Sequence, residues 1–130
     1  MVLALRAAGL FDGVSPTPVL RPTLLIEGDR IAAVLPGGEP PSGAEVVDLG
    51  ESWLMPGMVD AHQHLCFDAS LDPIGALAGR DDAAMLAQMR AAAHSALRAG
   101  VTTVRDLGDR DYGAIRLRAE GGELPTILAA

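Results

Sequence analysis

The chain has 130 residues, 49% of them hydrophobic and only 3% aromatic, and a formal net charge of −7. Its ten basic residues are all arginines and are scattered, so no basic stripe is present for nucleic acid or for an anionic membrane surface. The length suits one ordinary domain, whereas an eight-stranded α/β barrel needs about 250 residues.

Residues 2–10 are apolar but interrupted by Arg6, with no basic region before them, so they do not read as a signal peptide. No apolar run approaches the roughly 20 residues that cross a bilayer. Pro16, Pro18 and Pro22 mark an irregular connection. Residues 23–27 and 30–35 flank Gly28-Asp29, a two-residue loop whose glycine supplies the positive φ of a hairpin turn. Residues 36–43 have loop composition, and residues 45–49 read as another short strand. These small strands, expected to be antiparallel, form a sheet with one apolar face that needs a cover.

Pro56-Gly57 then reverses the chain, and a strand begins at Met58. If residues 58–64 are extended, Asp60, His62 and His64 share one face and Val59, Ala61 and Gln63 the other. Two neutral imidazoles one strand step apart can share a single divalent ion. Such pairs on solvated strands usually bind nothing, so context decides. The later strands sit next to helical patterns, which makes this one the first of a parallel, helix-covered set with ligand sites at its carboxyl ends. Cys66, the only cysteine, allows no intrachain disulfide and makes a reducing, cytoplasmic setting the default. It is read as a small buried hydrophobe, not a ligand.

Residues 68–79 read as a loop, with Phe67, Asp68 and Asp72 as candidates for lining a pocket. A helix runs from Asp81-Asp82 to Arg98-Ala99-Gly100, with acidic residues at its start and arginine and glycine at its end. Met85, Leu86, Met89, Ala93, Ala96 and Leu97 form its apolar stripe, while Arg90, His94 and Arg98 border it. His94 thus reads as a solvated surface residue. Residues 101–105 form a β-branched strand on which only one of Arg105 and Asp106 can point inward, and an Arg–Asp pair tying strand end to loop is the plainer reading. A shorter helix follows over 112–120, with Arg116 and Arg118 balanced by Glu120 and Glu123. Residues 126–130 are a third strand with no terminating signal after it, which reads as a sign of incompleteness.

Through Leu54-Met55-Pro56-Gly57-Met58-Val59-Asp60-Ala61-His62-Gln63-His64-Leu65 and Ala99-Gly100-Val101-Thr102-Thr103-Val104-Arg105-Asp106, the chain resembles the amidohydrolase superfamily. The segment Thr103-Val104-Arg105-Asp106-Leu107-Gly108 is most similar to the imidazolonepropionase-related and prolidase-type members. The resemblance implies an α/β fold in which residues 1–55 belong to a small composite β-sandwich. Residues 56–130 would be the first three βα units of an incomplete TIM (β/α)8 barrel. It implies hydrolysis of C–N bonds, in amides, peptide-like bonds or cyclic amides, by metal-activated water. His62 and His64 carry over as ligands of a divalent metal, most readily Zn2+, with one or two ions per complete site. No catalytic residue carries over, because the family's other ligands and its proton-handling aspartate would lie beyond Ala130. The implied partners are a small-molecule substrate and the missing barrel half or a second copy of the chain, with neither nucleic acid nor membrane. On this reading the 130-residue chain alone is inactive. The alternative is a truncated, non-catalytic fragment or a small metal-binding or interaction module. A cupin-like metal sandwich is disfavoured by the long helix at 81–99.

Overall fold

The computed structural model describes residues 2–130. The chain divides into one compact unit ending at Pro56 and a second unit, Gly57–Ala130.

The first unit is built of short strands: β1 Val2–Arg6, β2 Gly9–Leu10, β3 Val19–Leu20, β4 Pro22–Glu27, β5 Arg30–Pro36, β6 Glu45–Asp48 and β7 Trp53–Leu54. They form a four-stranded sheet in the order β5-β4-β1-β6 and a three-stranded sheet in the order β3-β2-β7. The expected hairpin is β4–β5, closed by the Glu27–Arg30 pair around Gly28 at φ 61°, a conformation that glycine adopts without a Cβ penalty. Not all the strands are antiparallel, as had been expected: β6 is parallel to β1, and β7 to β2. Because β5 and β6 run in the same direction, the connection between them must carry the chain back across the sheet to the free edge of β1. Thr23, 1% exposed, satisfies its hydroxyl by donating to the Gly38 carbonyl at 2.7 Å. Ala4 and Leu24 are buried, whereas Ile31, Val46 and Val47 remain exposed.

The second unit contains β8 Met58–Gln63, α1 Pro73–Ala78, α2 Asp82–Arg98, β9 Val101–Asp106, α3 Gly113–Glu120 and β10 Thr126–Ala129. Its three strands are parallel, in the order β10-β9-β8. Gly57 is needed where β8 begins, since a Cβ there would lie 2.0 Å from Thr102 Oγ1 and 2.6 Å from Thr102 Cβ, too close for a rotamer change to relieve. Met85, Met89 and Ala93, spaced i, i+4, i+8 on α2, are fully buried. They pack with Val104 and Ile127 of the sheet, Ala114 and Leu117 of α3, and Leu65 and Cys66 just past β8. Each large side chain so buried contributes about 1.5–3 kcal/mol.

One expectation is corrected here. Residues 68–79 are not all loop, because Pro73 at the first position and the Asp72 carboxylate accepting from Gly75 N at 2.9 Å start the helix α1. Arg116 and Arg118 are exposed on α3, as the balance with Glu120 and Glu123 on a solvated helix face implied, and their own partners lie elsewhere. Arg116 reaches Asp82 at 3.2 Å, Arg118 donates to the Ile127 carbonyl at 3.3 Å, and Glu120 pairs with Arg90. Helix packing brings these residues from distant positions, and the local charge pattern does not encode that.

Candidate metal centre

The rows of the parallel sheet fix what each side chain can reach. Asp60, Val104 and Ile127 form one row, and Gln63, Asp106 and Ala129 another. Val104, Asp106 and Ile127 are buried, so both rows face the helices. Yet Asp60 and Gln63 are three residues apart, which simple alternation forbids. The register of β8 shifts between them, so Ala61 and His62 together occupy the single step beside Arg105. Asp60 therefore leaves the face it was expected to share with His62. Its Oδ1 instead accepts from His62 N at 3.0 Å and holds the irregularity in place.

The two histidines, two positions apart, remain close together beside this bulge. The His62 and His64 ring centroids are 5.6 Å apart with an interplanar angle of 68°. His62 is exposed, and His64, just past the strand, is half-buried against Phe67 at 5.2 Å. His64 Nδ1 lies 2.8 Å from the Gly108 carbonyl oxygen. A carbonyl only accepts, so in the neutral ring this contact calls for the proton on Nδ1 and leaves the Nε2 lone pair free. That is how a ligating imidazole is normally oriented by an outer partner. The donor set fits part of a divalent-cation site: two imidazoles, one with its tautomer fixed. No cluster of three or more His, Cys, Asp or Glu side chains suited to a metal occurs among the described residues.

His64 borders two open recesses. One, of about 590 Å³, is lined by Asp60, Gln63, Phe67, Asp68 and Gln88. The other, of about 450 Å³, is lined by Cys66, Phe67, Leu77, Gly108 and Arg110. Phe67 and Asp68 thus line a pocket as expected, whereas Asp72 serves as the cap of α1. Asp68 pairs with Arg80, and its carboxyl is held well below the ordinary range, at about 2, by the Ser70 hydroxyl first and the Arg80 guanidinium second. Cys66 is 1% exposed, and burial followed by the nearby Asp106 charge pushes its thiol up. It is a core residue and not a reactive one. His94 is half-buried in a separate small recess with Leu97 and Glu123, not fully solvated.

The expected Arg–Asp pair is absent: among the described residues, Asp106 makes no ion pair. Arg105 is exposed on the opposite face, and the Asp106 carboxylate takes two backbone donors, Leu65 N and Gly108 N, each at 2.9 Å. The alternation of β9 had left the choice between Arg105 and Asp106 open. The signal that could have settled it is the shared parity of Asp106 with the apolar Val104.

The amidohydrolase family model matches residues 53–129, the segment that holds both histidines and the whole parallel sheet. The chain belongs to the amidohydrolase family. Among amidohydrolase relatives, the imidazolonepropionase of Arthrobacter sp. (strain FB24) is 35% identical over 94 residues, 72% of this chain and 21% of that protein. A crystal structure of a Xaa-Pro dipeptidase superposes with a TM-score of 0.83 at 25% identity, covering 100% of this chain and 33% of that one. Phenylurea hydrolase B gives a TM-score of 0.73 at 32% identity, over 98% of this chain and 30% of that one. The resemblance seen in the sequence is thus upheld, down to its imidazolonepropionase and prolidase-type neighbours. The chain spans about a fifth to a third of the length of these amidohydrolases. No helix among the described residues is long and apolar enough to cross a membrane.

Proposed function

We propose that these residues are the N-terminal portion of a metal-dependent amidohydrolase that cleaves C–N bonds of amides, peptide-like bonds or cyclic amides. The observation that carries the reading is the pairing of His62 and His64 at 5.6 Å, with the His64 tautomer set by Gly108. His62 and His64 supply two imidazole ligands to one divalent ion, most readily Zn2+, and a complete site holds one or two ions. When bound, the metal supplies Lewis acidity that polarises a carbonyl and makes water a nucleophile at neutral pH. Gly108 holds the His64 ring by its Nδ1 proton, and Phe67 packs against that ring and shields it from water on one side.

On this reading, residues 1–55 contribute strands to a composite β-sandwich, and β8, β9 and β10 are the first strands of a (β/α)8 barrel. The two compact units, meeting at Pro56 and Gly57, are in keeping with this division. The remaining ligands and the proton-handling group come from the rest of the barrel, or from a second chain that stands in for it. The substrate is a small molecule, and the single free cysteine suits a cytoplasmic setting.

A catalytic zinc usually has three protein ligands plus water, so the 130-residue chain should bind Zn2+ weakly and hydrolyse no amide. Calorimetric titration with Zn2+ checks this. The His62→Ala/His64→Ala double variant should abolish the binding isotherm. Unchanged Zn2+ binding in the double variant would remove the assignment.

A further inference from the structure

The hydrogen bond that sets the His64 tautomer is itself held at both ends by one carboxylate. Asp106, 1% exposed, accepts from Leu65 N through Oδ2 and from Gly108 N through Oδ1, each at 2.9 Å. Leu65 follows His64 directly, and Gly108 is the residue whose carbonyl takes the His64 Nδ1 proton at 2.8 Å. Four residues from two segments about forty positions apart are thus closed into one ring of contacts at the ends of β8 and β9. Gly108 adopts φ 134°, a conformation open to glycine, so its N–H turns to Asp106 while its carbonyl faces His64. Leu107 N also donates to the Gln63 carbonyl at 2.9 Å, so the two strands remain joined around this ring even without Asp106. A carboxylate buried with two backbone donors is an arrangement an amide cannot copy, because an amide offers a single accepting oxygen.

We propose that Asp106 is a positioning residue for His64: by binding Leu65 N and Gly108 N together, it presses the Gly108 carbonyl against His64 Nδ1. This keeps His64 Nε2 unprotonated and free to take a divalent cation. The last step rests on the metal reading above, whereas the tautomer is a property of the metal-free chain.

The test uses the whole 130-residue chain with 15N-labelled histidine, at about pH 8.5, above the ordinary histidine range. Long-range 1H–15N correlation spectra report which ring nitrogen carries the proton. His64 should be protonated at Nδ1. Asp106→Asn should mix the two tautomers and weaken Zn2+ binding about tenfold, the lower end of the usual effect of losing an outer partner. Circular dichroism establishes that the variant is folded. If Asp106→Asn does not fold, Asp106→Glu keeps the buried charge but displaces both oxygens by a methylene, and it should mix the tautomers in the same way. A wild-type His64 protonated at Nε2, or a folded variant that keeps Nδ1 fully protonated, overturns the proposal. If the tautomer responds to Asp106 but Zn2+ shifts neither histidine, the positioning role stands and it is the metal assignment that fails.

Discussion

Asp68 is the residue whose environment makes the sharpest statement about pH. Its carboxyl sits at about 2 instead of 3.8, through the Ser70 hydroxyl first and Arg80 second. A carboxyl lowered on folding stabilises fully above its unfolded value, and the contribution is lost as pH falls through the folded value. The tie between Asp68 and Arg80, which anchors the loop after His64 to the segment between α1 and α2, should therefore be intact at pH 4 and lost only on approaching pH 2. Carboxyl 13C shifts followed from pH 5 to pH 1.5 give the value directly. Ser70→Ala and Arg80→Gln should each raise it. A wild-type value at the ordinary aspartate position would mean that neither partner holds the carboxyl in solution.

The elements divide into those that local chemistry specifies and those that packing decides. α2 belongs to the first group: Asp81 accepts from Ala84 N at 2.8 Å, Asp82 lies in the first turn and Arg98 in the last, and the buried stripe falls on the expected spacing. Asp81→Ala should cost about 0.5–2 kcal/mol by removing the cap, and urea unfolding measures it; a loss under 0.3 kcal/mol would mean water replaces the cap freely. The β4–β5 hairpin and β9 were legible for the same reason, because turn chemistry and β-branched runs are local signals. α1 was hidden by glycines that look like loop residues, although Asp72-Pro73 is itself a start signal. β6 was recognised, but its parallel pairing was not, since direction depends on where a connection crosses the sheet. At the site, the spacing of His62 and His64 was plain, yet the bulge that displaces Asp60 was not. It arises from register with β9, forty residues away. The Asp106 clamp was hidden likewise, because its partners are backbone groups that any residue would offer.

At the scale of the whole molecule, the question is what the parallel sheet leaves uncovered. β8 and β10 are its outer strands, and Val59 and Leu128, on the rows opposite the helices, are 66% and 49% exposed. Unpaired strand edges beside apolar side chains favour pairing with another chain, and β10 carries no charged side chain or proline of its own to blunt its edge, although Arg118 takes the Ile127 carbonyl. Opposing this is the net charge of −7, which keeps copies apart until salt screens the repulsion. The 130-residue chain should therefore associate as concentration rises, and more strongly at about 0.5 M salt than at 0.05 M, where the Debye length exceeds 10 Å. Sedimentation velocity across both variables reads this out. Leu128→Lys places a charge on the exposed row without touching Ile127 in the core, and it should return the chain to monomer. A chain that stays monomeric throughout would mean the sheet edge is protected within the chain itself. Association that ignores Leu128→Lys would put the contact elsewhere, with the exposed valines of β6 the next surface to vary.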